Sequence, residues 1–227
     1  MFNRIFDPEN FVFRGFGKAL DVMVLSLLWV VLCIPVITMG PATTALYYTT
    51  VKYLRRGKQA PYVNFFRCFR ENFKIGALAG LILAVCAAIL LFEYNLLALT
   101  AANGDQGAVV GYYAFCVVAS LLWGAACYLF PLLSRFTLPL GGLFVRAGQL
   151  ALRHLPTTIL LAVIHLAAAW AALQFWIYLL PALFLPVLTA FLSSLPLERV
   201  FRQYTQVSES EQPMEEVDER DKPWYLK

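Results

Sequence analysis

The chain has 227 residues, of which 60% are hydrophobic and 14% charged, with 18 Lys and Arg against 14 Asp and Glu for a net charge of +4. A soluble domain is closer to half apolar and a quarter charged, so this composition excludes a surface clothed throughout in water-binding groups. The surplus apolar surface is expected to face lipid, and its continuous, non-alternating runs predict an all-α integral membrane protein rather than a β-barrel.

The opening segment, MFNRIFDPENFVFRGFGK, mixes charges with phenylalanines. It lacks the form of a cleaved signal peptide, so the span that follows is expected to be retained. From Asp21 to Lys52 about 30 residues carry no formal charge, against the roughly 20 that a spanning helix needs. Pro35, Gly40 and Pro41 interrupt that run, removing backbone donors and tolerating a turn. Two readings follow: one crossing by a proline-kinked helix, or a hairpin that turns between Pro35 and Pro41 and returns through ATTALYYTTVKYL. The hydroxyls of Thr38, Thr43 and Thr44 could satisfy carbonyls freed by the prolines, and Tyr47 and Tyr48 would lead the chain back to an interface.

The next segment decides between them. Lys52, Arg55, Arg56, Lys58, Arg67, Arg70 and Lys74 form the densest cationic stretch, whereas NLLALTAANGDQG after the following span has no basic residue. Lys and Arg accumulate in cytoplasmic loops, so 52–74 is expected inside and the loop around Asn103 outside. A single first crossing would set the cations at Arg4, Arg14 and Lys18 against that assignment, so the hairpin is preferred. Five or six transmembrane or re-entrant helices remain open, as does the side of the N-terminus.

Within this segment YVNFFRCFRENFK is amphipathic. Tyr62, Phe65, Phe66, Phe69 and Phe73 fall within about 100° of one another on a helix, opposite Arg67, Arg70 and Lys74. It is expected to lie at the cytoplasmic interface, rings toward the headgroup boundary and cations toward anionic lipid or a docking partner. The span after it contains GALAGLILAVCAAIL, whose small residues Gly76, Ala79, Gly80 and Ala84 favour close helix packing inside the protein.

A second charge-free run reaches Arg135, and Arg146, Gln149 and Arg153 then repeat the spacing of Arg67, Arg70 and Lys74 before another apolar span. Proline-containing segments precede both sets. This suggests an internal repeat of kinked span, amphipathic helix and straight span. From His154 to Leu197 the apolar run is about 44 residues, long enough to cross twice, with Pro181 and Pro186 as the expected outer turn. Residues 1–202 are thus read as the membrane domain. Residues 203–227 hold seven of the 14 carboxylates and are read as an acidic, disordered cytoplasmic tail.

Little here supports catalysis. Serine elbow, HExxH, Walker loop and paired carboxylates are all missing, and the five cysteines have no metal-binding spacing, so no enzyme, cofactor or metal is expected. No nucleic-acid partner is expected either. His165 sits mid-span, where an ionisable side chain either hydrogen-bonds within the bundle or lines a pathway. With Thr38, Thr43, Thr44 and Tyr47 it would line a route between the repeats if the protein moved a solute or lipid.

The stretch NFVFRGFGKALDVMVLSLLWVVLCIPVITMGPATTALYYTTVKYLRRG, followed by NFFRCFRENFK and a long apolar span, resembles the YesL family of bacterial integral membrane proteins. The likeness is most specific from Pro35 through Thr38, Gly40, Pro41, Thr43 and Thr44 to Tyr47 and Tyr48. It implies a multi-pass protein of the bacterial plasma membrane with an uncharacterised molecular function, while the charge distribution, with Arg199 and Arg202 inside, places the expected C-terminus in the cytoplasm. Members are often encoded beside carbohydrate ABC transporters and their regulators, which implies a permease or sensor kinase as partner. The resemblance carries over no catalytic residue.

Overall fold

The computed structural model describes residues 11–57, 60–102, 106–175 and 179–211. They form eight α-helices, with no strand among the described residues: α1 (Phe11–Cys33), α2 (Val36–Thr50), α3 (Pro61–Glu71), α4 (Phe73–Ala102), α5 (Gln106–Leu133), α6 (Leu140–Arg153), α7 (Leu155–Phe175) and α8 (Leu179–Glu211). Four of them, α4, α5, α7 and α8, are long and apolar enough to cross a membrane. At 1.5 Å per residue α4 alone is about 45 Å long.

The first two helices make the hairpin. α1 stops at Cys33, Pro35 holds extended backbone with ψ 123°, and α2 starts one residue later. Contacts across the turn are centred on that proline. Trp29 Nε1 donates to Thr43 Oγ1 at 3.2 Å, and further down Tyr53 donates its hydroxyl proton to Asp21. The threonines serve the turn: Thr38 Oγ1 donates to the carbonyls of Leu32 and Pro35, and Thr43 and Thr44 donate to Met39 and Gly40. At the Pro35 carbonyl the hydroxyl joins the Thr38 backbone N–H, 3.0 Å away, so that the turn is bonded within the chain where lipid offers no donor.

The returning helix is the centre of the bundle. α2 is buried at almost every residue from Gly40 to Thr50, and it packs on α1, α3, α4, α5 and α8. Its approach to α4 depends on glycine: a Cβ at Gly40 would overlap the Gly76 carbonyl, and one at Gly80 would lie 3.0 Å from the Gly40 nitrogen. Without a hydrophobic drive between helices in lipid, such backbone proximity is what dispersion packing requires. Because Gly40 meets Gly76 and Gly80, the apolar hairpin tip at Ile34 lies beside the first half of α4, short of its far end.

Two units then follow one pattern. Amphipathic α3 feeds α4 through the single residue Asn72, and amphipathic α6 feeds α7 through His154. Four residues past each break a small residue meets a glycine: Gly76 meets Gly40 of α2, and Thr158 meets Gly124 of α5. Side chains tie each break. Asn72 Nδ2 donates to the Cys68 carbonyl at 3.0 Å, and Thr158 Oγ1 donates to Ala151 at 2.8 Å.

Two boundaries differ from the sequence reading. Pro186 is not at a turn but inside α8, and Pro181 falls in that helix's first turn, where its missing N–H has no intrahelical acceptor to lose. Residues 176–178, between α7 and α8, lie outside the described residues. The tail expected from residue 203 also begins as helix, since α8 runs on to Glu211. Propagation from a packed segment costs far less than nucleation, and Tyr204 is still held against His154. The rest of the acidic tail lies outside the described residues.

Candidate functional site

Four groups of polar side chains gather at one end of the bundle, which also carries the cationic helices and is called the basic end here. The first is built on the hairpin base. Asp21 of α1 accepts from Tyr53 and Tyr62, its two oxygens 2.5 and 2.6 Å from the hydroxyls. Burial, then the hydrogen bond to Asp21, pushes both phenols above their ordinary value, Tyr62 to about 12. This carboxylate therefore pins α1 to the far end of α2 and to α3. Tyr53 reaches it from a π-helical turn, Val51–Arg55, that continues α2.

The second group uses the same π turn. Lys52 Nζ donates to Tyr48 OH and to Asn64 Oδ1, each at 3.1 Å, and Arg67 also donates to Asn64 at 3.0 Å. Desolvation, followed by the nearby Arg67 charge, holds the Lys52 ammonium below its ordinary value. Together with Phe65 and Cys68, both buried, these bonds lock α3 onto α2. Burying a side chain like Phe65 is worth about 2–3 kcal/mol.

That locking alters the expected aromatic face. Phe65 is 0% exposed and packs into protein, Tyr62 is half-buried and bonded to Asp21, and Phe73 already belongs to α4. Only Phe66 and Phe73 remain exposed rings, joined by Val63. Part of the pattern that reads as a lipid-facing stripe, Phe65 above all, is an intramolecular contact, because α3 meets α2 through Pro61, Asn64, Phe65 and Cys68. Arg67, Arg70 and Lys74 stay exposed, as do Arg146 and Arg153 on α6.

The third group is a buried ion pair that sequence reasoning missed. Arg135, just past α5, donates through Nη2 to Glu198 Oε2 of α8 at 2.7 Å, both side chains almost wholly buried. Arg56 stands 3.9 Å from the same oxygen, and Arg55 Nη1 donates to the Ser194 carbonyl at 2.8 Å. Arg135 also lies over the Phe201 ring at 5.4 Å. A charge-assisted bond in such surroundings joins the end of α5 and the segment after α2 to the interior of α8. The available signal was Glu198 itself, a carboxylate inside the apolar stretch FLSSLPLERVF.

The fourth group is at the α6–α7 break, where His154 Nε2 and Tyr204 OH are 3.3 Å apart and their rings meet edge to face.

The expected pathway residues are not assembled in one place. Tyr47 is buried in α2, while His165 is on α7, where its Nδ1 donates to the Leu161 carbonyl at 2.8 Å. α7 packs on α5, α6 and α8, whereas α2 packs on α1, α3 and α4 as well as on α5 and α8. No group of three or more His, Cys, Asp or Glu that could hold a metal occurs among the described residues.

This fold and this end define an all-α membrane protein whose polar contacts are concentrated at the basic end. Residues 22–94, the hairpin through most of α4, match the model of a family described as protein of unknown function, DUF624. The match spans about a third of the chain. Comparison with curated proteins and with solved structures gives no match.

Proposed function

We propose that this is a non-enzymatic accessory protein of the bacterial plasma membrane, working alongside a carbohydrate ABC-type uptake system. The basic end and the C-terminus lie in the cytoplasm in this reading, as the charge distribution favours. The supporting observation is that α3 and α6 are fixed to the bundle by their buried faces while Arg67, Arg70, Lys74, Arg146 and Arg153 remain exposed. A rigid basic collar of this kind suits anionic lipid and an acidic surface on a permease or sensor kinase. The sugar-uptake part rests on the resemblance to the YesL family.

The test is affinity purification from native membranes with quantitative mass spectrometry, comparing the wild type with Arg67→Glu/Arg70→Glu/Lys74→Glu. Near-stoichiometric permease or kinase with the wild type, lost with the triple variant, is the expected result. Equal recovery with both, or none with either, overturns the reading.

A second reading is a small-solute or lipid-handling protein. It draws on an apolar cleft of about 280 Å³ between α5, α6 and α7, lined by Leu122, Ala125, Leu152 and Thr158 among others. Loss of uptake or lipid redistribution in Ala125→Phe, which puts a ring into that cleft, with the collar variant unaffected, would favour it over the first.

A further inference from the structure

A cleft at the basic end lies between the start of α7 and α8, about 310 Å³ in volume. His154, Pro156, Thr157 and Leu160 form one wall, and Pro196, Arg199, Val200 and Gln203 the other. Its polar groups are donors at physiological pH or can act as donors: the Arg199 guanidinium, the Gln203 amide, the Thr157 hydroxyl and the His154 ring. Among the described residues no carboxylate lines it. Glu198, the acidic neighbour of Arg199, is turned about 100° away on the helix and is held by Arg135. Among the described residues Arg199 makes no ion pair, in contrast to Arg56 and Arg135. The first turn of α7 adds the positive end of a helix dipole. On the other side of the donors, Leu160 is 49% exposed and continues the cleft onto the apolar flank of α7.

We propose that this cleft binds a phosphate ester, with the phosphate held by Arg199, Gln203 and Thr157 at the start of α7. A guanidinium beside a helix N-terminus and neutral donors matches the charge and lone pairs of a phosphate. An apolar edge beside those donors fits an anionic phospholipid, whose phosphate sits at the headgroup level and whose chains run along α7. A soluble phosphate ester shares the same recognition chemistry. The site is separate from the collar of α3, and the lipid source rests on the proposed placement of the basic end at the membrane surface.

The full-length protein would be placed in phosphatidylcholine nanodiscs with and without phosphatidic acid, and lipid retained after detergent extraction counted by native mass spectrometry. A parallel arm adds glycerol 3-phosphate to phosphatidylcholine discs and follows thermal stability. Selective retention of one phosphatidic acid, weakened about tenfold by Arg199→Ala and unaffected by Lys18→Ala on α1, supports a lipid headgroup. Stabilisation by glycerol 3-phosphate that Arg199→Ala abolishes, without lipid retention, supports a soluble ester. Should Arg199→Ala unfold the protein, Gln203→Ala and Thr157→Val carry the same comparison. Equal retention by the site variants and the wild type, or no response in either arm, overturns the proposal. A collar variant that loses its protein partner yet keeps this binding separates failure of the one idea from failure of the other.

Discussion

The two ends of the bundle are built from different chemistry. At the basic end lie the carboxylates of Asp21 and Glu198, the bonded Lys52 and Arg135, and the glycine contacts of α2 with α4. Toward the other end, no described side chain is buried on α4 beyond Gly80, on α5 before Gly124, on α7 beyond Leu161 or on α8 before Val187. Alanine and larger apolar residues make up most of those outer halves, with the Tyr94–Tyr112 hydroxyl contact at 3.2 Å between α4 and α5, and lipid tails are as apolar as most of these side chains. Apolar residues therefore hold a helix in the bilayer without telling it which neighbour to choose, and small and polar residues make that choice.

The largest effect should come from the buried ion pair. Glu198→Leu strips Arg135 of its carboxylate in a dry setting, at a cost of about 3–5 kcal/mol. The double variant Arg135→Leu/Glu198→Leu should recover most of that loss. Thermal unfolding in detergent would show it, and equal damage in the single and double variants would mean that the pair does not organise this end.

Glycines give a matched comparison of the two ends. Gly40→Ala forces a methyl into the Gly76 carbonyl and should cost about 1–3 kcal/mol. Gly111→Ala, in the outer half of α5, has only Leu97 Cδ2 at 3.7 Å and should be neutral or stabilise by up to about 1 kcal/mol through helix propensity. Similar losses at both positions would erase the distinction between the two ends.

A smaller effect belongs to the Asp21 cluster. Tyr62 titrates near 12 in the folded protein, above the ordinary tyrosine value of about 10. A raised folded pKa means that the neutral phenol contributes stability below pH 10, and that this contribution is lost as the pH rises through about 12. Tyr62→Phe should remove that part of the alkaline loss, read from unfolding midpoints across the range. An unchanged alkaline profile would leave the Asp21 contact without a measurable role in holding α3.

How much was legible in the sequence depended on the kind of signal. The hairpin could be read because Pro35 marks the turn and the dense cationic stretch after it argues for a returning chain. The two amphipathic helices could be read from a 3.6-residue period, and their repeat from the spacing of Arg67, Arg70 and Lys74 against Arg146, Gln149 and Arg153. Pro186 misled, since proline is tolerated inside membrane helices when neighbours supply the lost contacts. The Phe65 face misled differently, because a helical period shows that a face is apolar but not whether lipid or protein covers it.

Sequence alone determined that this is a helical membrane protein with its positive charge gathered at the helix ends, because charge-free run length and Lys/Arg distribution are local properties that lipid reads directly. Only the tertiary structure decided that the short, threonine-rich return helix is the centre of the bundle. It also brought Asp21 to Tyr53 and Tyr62, and Glu198 to Arg135 across 63 residues of chain. Such pairings depend on which helices sit side by side, and with apolar surface uninformative in lipid, that depends on backbone approach at a few glycines and on complementary charges distant in sequence.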